Sequence, residues 1–90
     1  MINIPKRNPN IDEYLDMADP EAIRFEGLDY AIVGTDHNGL LVYDYERMVE
    51  TFVVNSEMTI EEAIEWIDYN VIGVQAGQGF TVLYTQQLIL

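Results

Sequence analysis

LDYAIVGTDHNGLLVYDY, residues 28–45, contains two strand-like runs on either side of a short polar segment. Both of its ends are rich in β-branched and aromatic residues, and the DHNG between them is a strong turn signal. The stretch therefore predicts a β-hairpin. A four-residue DHNG loop pairs Val33 with Val42 and Ile32 with Tyr43, and this register matches the hydrophobic pattern better than the register of a two-residue Asn-Gly loop.

The sequence after the hairpin predicts a helix and, near the C-terminus, a third strand. Asp44 is a good cap for a helix over residues 45–54. The apolar residues of this helix recur at helical spacing and form one face: Tyr45, Met48, Val49 and Phe52. The segment FTVLYTQQLIL begins with strand-like alternation, which places a strand near residues 80–85. We therefore expect an α+β fold, a small single domain in which an antiparallel sheet of about three strands packs against two main helices.

The clearest helix signal is TIEEAIEWIDY, within a predicted helix over residues 59–72. Thr59 and Glu62 form a capping box, and Gly73 supplies the stop. The apolar residues share one stripe at about 100° per residue: Ile60, Ala63, Ile64, Ile67 and Val71. We expect this stripe to face the core, with Trp66 at its border and partly buried.

The N-terminal residues differ in composition from the rest of the chain. Residues 1–26 hold all three prolines and three of the four bases, so we expect an irregular N-terminal segment with short helices. Asn10 is placed to cap one of these helices, and Pro20 suits the first position of another that Gly27 ends. Residues 27–90 then form the α+β core. Ninety residues are enough for one compact domain and too few for two.

The net charge of the chain limits the classes of molecule that it can bind. Sixteen acidic residues against four bases give a formal net charge of −12. This charge repels nucleic-acid phosphates and anionic membrane surfaces, so the sequence argues against direct binding to either. The absence of cysteine excludes disulfides and thiolate metal sites. No apolar run approaches the roughly 18 residues of a membrane span, and no signal-peptide core is evident, so we expect a soluble, unprocessed, cytoplasmic protein.

Few residues suggest catalysis or ligand binding. His37, the one histidine, lies in the predicted turn without a neighbouring serine, and we interpret it as a solvated turn residue. Asp36-x-Asn38-Gly39 is similar to the start of a calcium loop, but Arg47 stands where an EF-hand needs its bidentate glutamate. The glycines of GVQAGQGF follow a helix and have no lysine nearby, which argues against a phosphate cradle. We therefore expect no enzymatic activity, no cofactor and no metal.

Three segments carry a resemblance to a known group of proteins. GLDYAIVGTD, LLVYDYERMVE and MTIEEAIEWIDYNVIGVQAG, spread over roughly residues 27–79, resemble short uncharacterised acidic proteins encoded by bacteriophages and prophages. That group shares a hairpin, a Val-Tyr-Asp start to a helix, and an EEA-x-E helix followed by Tyr-Asn and Gly. The resemblance implies a viral or prophage setting in the cytoplasm of a bacterial host cell, and it assigns no activity. Its members continue with a Gly-Glu segment and a proline where this chain has AGQGFTVLY, so the C-terminal strand is expected to differ.

The predicted helix over residues 59–72 also carries a bare acidic face. Its acids lie opposite the apolar stripe without a compensating base, and a tyrosine lies among them. Two interpretations stay open: a face that only keeps the protein soluble, or a surface that meets a positively charged partner and imitates the phosphates of nucleic acid. On the second interpretation the predicted partner-binding residues are Glu61, Glu62, Glu65, Asp68 and Tyr69, extended by Glu50 and Glu57.

Three functions from different classes follow. The functional hypothesis that we favour is a protein-binding module, acting as an inhibitor or adaptor on a basic host protein. The second is a structural homo-oligomer, in which the C-terminal strand with its apolar end, Leu88-Ile89-Leu90, pairs with a neighbouring copy. The third is a small-molecule-binding accessory protein or a hydrolytic enzyme, and its only support is scattered carboxylates such as Glu61 and Glu65.

Overall fold

The computed structural model describes residues 10–73 and 79–84 of the 90-residue chain. The helices and strands are α1 (Ile11–Met17), β1 (Ile32–Thr35), β2 (Leu41–Asp44), α2 (Tyr45–Asn55), α3 (Ile60–Ile67) and β3 (Phe80–Leu83). A 3-10 helix, Asp29–Ala31, precedes β1, and a π-helical segment, Asp68–Ile72, continues α3. The α+β class is therefore confirmed. Within the described ranges, no helix has the length and apolar character needed to cross a membrane.

The three strands form one sheet in the order β1-β2-β3. The β1–β2 pair is antiparallel, which confirms the hairpin, whereas β3 runs parallel to β2. The prediction of a purely antiparallel sheet is wrong. The physical reason is the connection: the chain leaves β2 through α2 and α3, and this long crossover returns it to the end of the sheet where β2 began. Leu41 consequently pairs with Phe80, and Asp44 pairs with Leu83.

The hairpin register agrees with the sequence at one pair and departs from it at the next. Ile32 faces Tyr43 as predicted, but Gly34, not Val33, faces Val42. A bulge between Ile32 and Gly34 adds one residue to β1 and moves Val33 out of the pairing. The predicted Val33–Val42 pair is therefore wrong.

The turn is tighter than the predicted four-residue loop. The Asp36 N–H donates to the Leu40 carbonyl (2.9 Å), and the Gly39 N–H donates to the Asp36 carbonyl (3.0 Å), which leaves three residues in the loop. The Asp36 carboxylate also accepts from the Asn38 and Leu40 N–H groups. Gly39 has a φ of 81°, and a Cβ at this position would lie 3.0 Å from the Asp19 nitrogen. Glycine therefore satisfies both the left-handed turn and the close approach of Asp19.

The core draws on every helix and strand. Its buried apolar side chains form one cluster: Ile11, Leu28, Ala31, Ile32, Leu41, Tyr43, Tyr45, Met48, Val49, Ala63, Ile67, Val71 and Phe80. Helix α2 contacts α3, β2 and the 3-10 helix, while α1 lies against β1. The α3 stripe contributes Ala63, Ile67 and Val71 as buried residues and Ile64 as a partly buried one. Ile60, however, is 44% exposed, so its predicted place in the core is wrong.

Residues 19–25, which we call the strap, are hydrogen-bonded to the sheet end through their backbone. The N–H of Asp19 donates to the carbonyl of Gly39, and the N–H of Ile23 donates to the carbonyl of Gly79, both at 2.8 Å. The strap thus bridges the hairpin turn and the residue before β3, at the end of the sheet where β2 and β3 both begin. The short helix predicted between Pro20 and Gly27 is wrong, since turns without a helix occupy this stretch. The predicted helix after Asn10 is confirmed as α1.

The Tyr43 side chain supplies hydrogen-bond partners for backbone groups of the strap, which has no helical hydrogen bonds of its own. Its hydroxyl accepts from the Phe25 N–H and donates to the Ile23 carbonyl, each at 2.9 Å. Its ring meets Phe25 and Phe80 in edge-on contacts, with centroid separations of 5.5 and 6.0 Å. Side-chain partners of this kind let an irregular segment run over a buried surface without unpaired backbone groups.

The helix starts follow the predicted caps. The Asp44 carboxylate accepts from the Arg47 N–H (3.0 Å) at the start of α2. At the start of α3, the Thr59 hydroxyl accepts from the Glu62 N–H (3.1 Å), and the Glu62 carboxylate accepts from the Thr59 N–H (2.9 Å). Both bonds of the capping box are confirmed. Gly73 caps the π-helical segment in a right-handed conformation with φ −62°, rather than in the left-handed conformation of a glycine stop.

Candidate functional site

The predicted acidic face occupies the solvent side of α3 and of the π-helical segment after it. Glu61, Glu62, Glu65 and Asp68 are all exposed, and Tyr69 is 81% exposed. The sequence has no lysine or arginine after Arg47, so this face contains no base. The structure therefore brings five of the predicted site residues onto one helical surface.

The four acids of this face differ in what they contact. The Glu62 carboxylate is held by the capping box, and the bond to the Thr59 N–H lowers the pKa of that carboxyl. The Asp68 carboxylate accepts from the Tyr45 hydroxyl at 2.9 Å, across to helix α2. Burial first, and then this bond to Asp68, raise the pKa of Tyr45. The carboxylates of Glu62 and Asp68 are therefore exposed and also accept hydrogen bonds within the fold.

Glu61 and Glu65 have no such role. Neither carboxylate has a hydrogen-bond or ion-pair partner among residues 10–73 and 79–84, and both are exposed. No described hydrogen bond or ion pair of the fold therefore uses either charge, although Glu61 lies in the first turn of α3, where a negative charge is favourable. These two glutamates are the acids on α3 whose presence the packing does not explain.

The two outlying predicted residues lie elsewhere. Glu57 is exposed in the turn between α2 and α3, where its backbone has a positive φ of 55°. Glu50, on α2, accepts from the Tyr30 hydroxyl at 3.1 Å. It lines a separate hollow of about 500 Å³, formed by Tyr30, Val33, Asp44, Glu46, Arg47, Glu50 and Leu83. The structure therefore places Glu50 apart from the acidic face of α3.

The hollow beside Glu50 already contains a cation of the chain itself. The Arg47 guanidinium carbon lies 4.9 Å from the centre of the Tyr30 ring, and the guanidinium donates to the Tyr30 carbonyl at 3.3 Å. Burial first, and then the bond to Glu50, raise the pKa of Tyr30. This hollow is therefore arranged around an internal arginine.

The concave part of the α3 surface is a shallow groove that the sequence reasoning missed. It has a volume of about 450 Å³ and is lined by Met58, Glu62, Glu65, Trp66, Tyr69 and Asn70. On the helix, Trp66 is the i, i+4 neighbour of Glu62 and of Asn70, and Tyr69 is that of Glu65, while Met58 lies just before the α3 cap. This spacing is the signal that would have added Asn70 to the predicted site.

Trp66 forms the floor of this groove. Its ring packs on Phe52 with a centroid separation of 4.7 Å, and the side chain remains 40% exposed. The Asn70 side-chain amide donates to the Trp66 carbonyl at 3.0 Å, where the helix widens into the π-helical segment. The contact with Phe52 and the hydrogen bond from Asn70 thus fix the position of Trp66, and part of its ring remains exposed to solvent.

Asp36 and His37, the residues of the calcium-loop-like segment, lie in the hairpin turn. The Asp36 carboxylate accepts from Leu40, Asn38 and Thr81, and the Leu40 N–H contributes most to lowering the pKa of that carboxyl. His37 is exposed beside it. Over residues 10–73 and 79–84, no three histidine or carboxylate side chains lie close enough to hold a metal ion together. The turn is accordingly a structural feature of the hairpin.

Comparison with protein-family models, with curated proteins and with solved structures gives no match to this chain. The phage and prophage setting therefore stays a prediction that rests on the sequence pattern of roughly residues 27–79. The interpretation of the α3 surface rests on its own geometry and charge.

Proposed function

We propose that this protein is a small protein-binding module whose α3 face docks on a positively charged surface of a host protein. As a phage or prophage protein in the cytoplasm of a bacterial host cell, it acts as an inhibitor or nucleic-acid mimic. The observation that carries the proposal is the pairing of two kinds of side chain on one face: carboxylates without a described hydrogen-bond or ion-pair partner, Glu61 and Glu65, beside the exposed aromatic rings of Trp66 and Tyr69.

The charge of the face supports a basic partner. The whole chain has a formal net charge of −12, and no base interrupts the acids of α3. Such a field attracts a positive surface, raises the association rate and disfavours acidic partners. Two acids that lie one helical turn apart on a rigid, capped helix also present negative charges in a row, as a nucleic-acid strand does.

The aromatic residues support a protein partner rather than a solvated face. Trp and Tyr are enriched among the residues that dominate binding energy, because they bury a large area with few rotatable bonds. A face that only kept the protein soluble would need the acids but would gain nothing from Tyr69, which is 81% exposed. Their position among the acids supports a surface with a binding centre and a charged rim.

The test begins with a pull-down from a bacterial lysate at low and at high salt. Capture counts in favour of the proposal only where it weakens with salt and depends on the α3 charges. The variant Glu61→Gln/Glu65→Gln removes two charges without touching a described contact, so its free energy of unfolding should stay within about 0.5 kcal/mol of the parent. We expect it to bind the captured partner several-fold more weakly at low salt.

A matched control is available on α1. Glu13→Gln/Asp16→Asn removes the same charge from two exposed residues without a described partner. We expect this control to bind like the parent. If Glu61→Gln/Glu65→Gln also binds like the parent, the acids of α3 only solvate the surface and the proposal is wrong.

A second candidate function, a structural homo-oligomer, has one observation in its favour. Strand β3 is paired with β2 on one side only among the described strands, and the exposed side chains of Leu83 and Tyr84 lie at its end. An edge of this kind can pair with the same edge of a second copy. The apolar end, Leu88-Ile89-Leu90, lies outside the described residues. Sedimentation as a strict monomer at high micromolar concentration, unchanged on deleting residues 87–90, would exclude this candidate.

A further inference from the structure

We infer that the groove on α3 accepts an arginine side chain of the basic partner and discriminates against lysine. The inference rests on the proposed function and adds the chemistry of the contact. The groove combines an aromatic floor, Trp66, with an exposed ring at its side, Tyr69, and with two carboxylates at its rim, Glu62 and Glu65. A planar cation with several N–H donors is the side chain that uses all of these groups together.

The helical spacing sets these groups around one space. Glu62 precedes Trp66 by four residues, and Glu65 precedes Tyr69 by four, so each carboxylate lies one turn from a ring on the same side of the helix. The Glu62 carboxylate is fixed by its bond to the Thr59 N–H, which also lowers the pKa of that carboxyl and keeps it charged. A guanidinium lying over the Trp66 ring is thus within reach of negative charge on two sides.

The molecule itself contains an arginine that lies over an aromatic ring. In the hollow beside Glu50, the Arg47 guanidinium lies over the Tyr30 ring at 4.9 Å and donates to the Tyr30 carbonyl at 3.3 Å. There the arginine and the ring both come from one chain. The α3 groove has a ring and two carboxylates, and no arginine is among the described residues that line it.

Arginine fits this groove better than lysine for two reasons. Its guanidinium is weakly hydrated and flat, so it stacks on an aromatic ring at a smaller desolvation cost than an ammonium group does. It also offers parallel N–H donors to a carboxylate, whereas an ammonium acts as a point charge. Charge attraction alone treats the two cations alike, so a preference for arginine reports on the groove.

The experiment uses two capped peptides, tetra-arginine and tetra-lysine, with equal charge. Trp66 is the single tryptophan of the chain, so its fluorescence reports on the groove directly. We expect tetra-arginine to change the Trp66 emission and to bind about threefold to fivefold more tightly than tetra-lysine, the factor that corresponds to a cation–π contact at an exposed site.

Two variants separate the groove from the general charge. Tyr69→Leu keeps the Trp66 reporter and removes one of the two rings from an exposed position, so we expect it to fold and to lose part of the arginine preference. Tyr84→Leu makes the same substitution at an exposed tyrosine outside the groove, where the ring lost is one that packs on Tyr45, and it should retain the preference. Equal affinities of the two peptides for the parent protein, or an unchanged preference in Tyr69→Leu, would overturn the inference.

The failure of this inference is distinguishable from a failure of the proposed function. Equal binding of both peptides that weakens with salt and with Glu61→Gln/Glu65→Gln overturns the arginine site and leaves the acidic docking face in place. Absence of peptide binding overturns the arginine site, and capture that ignores salt and the α3 charges overturns the proposed function.

Discussion

Removal of one hydroxyl group, in Tyr43→Phe, should destabilise the protein by about 2 kcal/mol. Tyr43 is 0% exposed, and its hydroxyl makes two bonds of 2.9 Å, from the Phe25 N–H and to the Ile23 carbonyl. A phenylalanine keeps the ring contacts with Phe25 and Phe80, so only these two bonds are lost. The strap then has two backbone groups without their partner.

The magnitude follows from the surroundings of those two groups. An unsatisfied buried donor or acceptor costs about 1–3 kcal/mol. The lower end of that range applies here because Phe25 is only partly buried and Ile23 is exposed, so water reaches part of the strap. Two groups at about 1 kcal/mol each give about 2 kcal/mol, a large share of the roughly 5 kcal/mol that holds a small domain folded.

The assay is urea unfolding followed by Trp66 fluorescence and by circular dichroism. With a slope of about 1–2 kcal/mol/M, the loss moves the midpoint down by roughly 1–2 M and leaves the slope unchanged. Hydrogen exchange at the Phe25 amide should accelerate, because that N–H loses its acceptor. The matched control is Tyr69→Phe, which removes a hydroxyl from an exposed ring and should shift the free energy of unfolding by less than about 0.5 kcal/mol. If Tyr43→Phe is no less stable than this control, the two bonds do not anchor the strap.

Two further predictions concern the α3 cap and alkaline pH. Thr59→Ala removes the hydroxyl that accepts from the Glu62 N–H and should cost about 1 kcal/mol in urea unfolding, while Thr59→Ser should retain most of the stability. Burial raises the pKa of Tyr43 from 10.0 to about 12 and also raises the pKa of Tyr45. The unfolded chain therefore loses these protons first, so the stability is complete below about pH 10 and falls as pH rises towards about 12. Urea unfolding at roughly pH 9 and pH 11 should show this fall, and Tyr43→Phe should reduce it; a fall of equal size in that variant would contradict the assignment.

The parts of the fold that the sequence predicted correctly are those whose signals are local. The Asp44 cap and the Thr59–Glu62 capping box each involve residues within three positions of one another, and both form as expected. The hairpin follows from a short turn between two apolar runs. Even there, the bulge at Val33 depends on how β1 twists against β2, and the pattern of apolar residues does not contain that information.

The direction of β3 depends on a distant part of the chain. The alternation in FTVL is the same for a parallel and an antiparallel strand, because each exposes every second side chain on one face. The direction is decided by the α2 and α3 connection, which returns the chain to the start of β2. The strap was missed for a related reason: Tyr43 counts as apolar in any pattern, and nothing near it in sequence shows that its hydroxyl bonds a segment 18 to 20 residues earlier.

The same limit applies to the acidic face and changes how it must be tested. Helical spacing correctly puts the α3 acids opposite the core, but it does not reveal that Asp68 accepts from Tyr45, 23 residues earlier in the chain. Replacing all four acids by amides would weaken this bond and the Glu62 half of the cap, because both lose a charged acceptor, so weaker binding and weaker folding would be mixed. Glu61 and Glu65 have no described contact to lose. A change in binding on replacing these two alone is therefore a measure of charge at the surface, which is the quantity that the proposed function depends on.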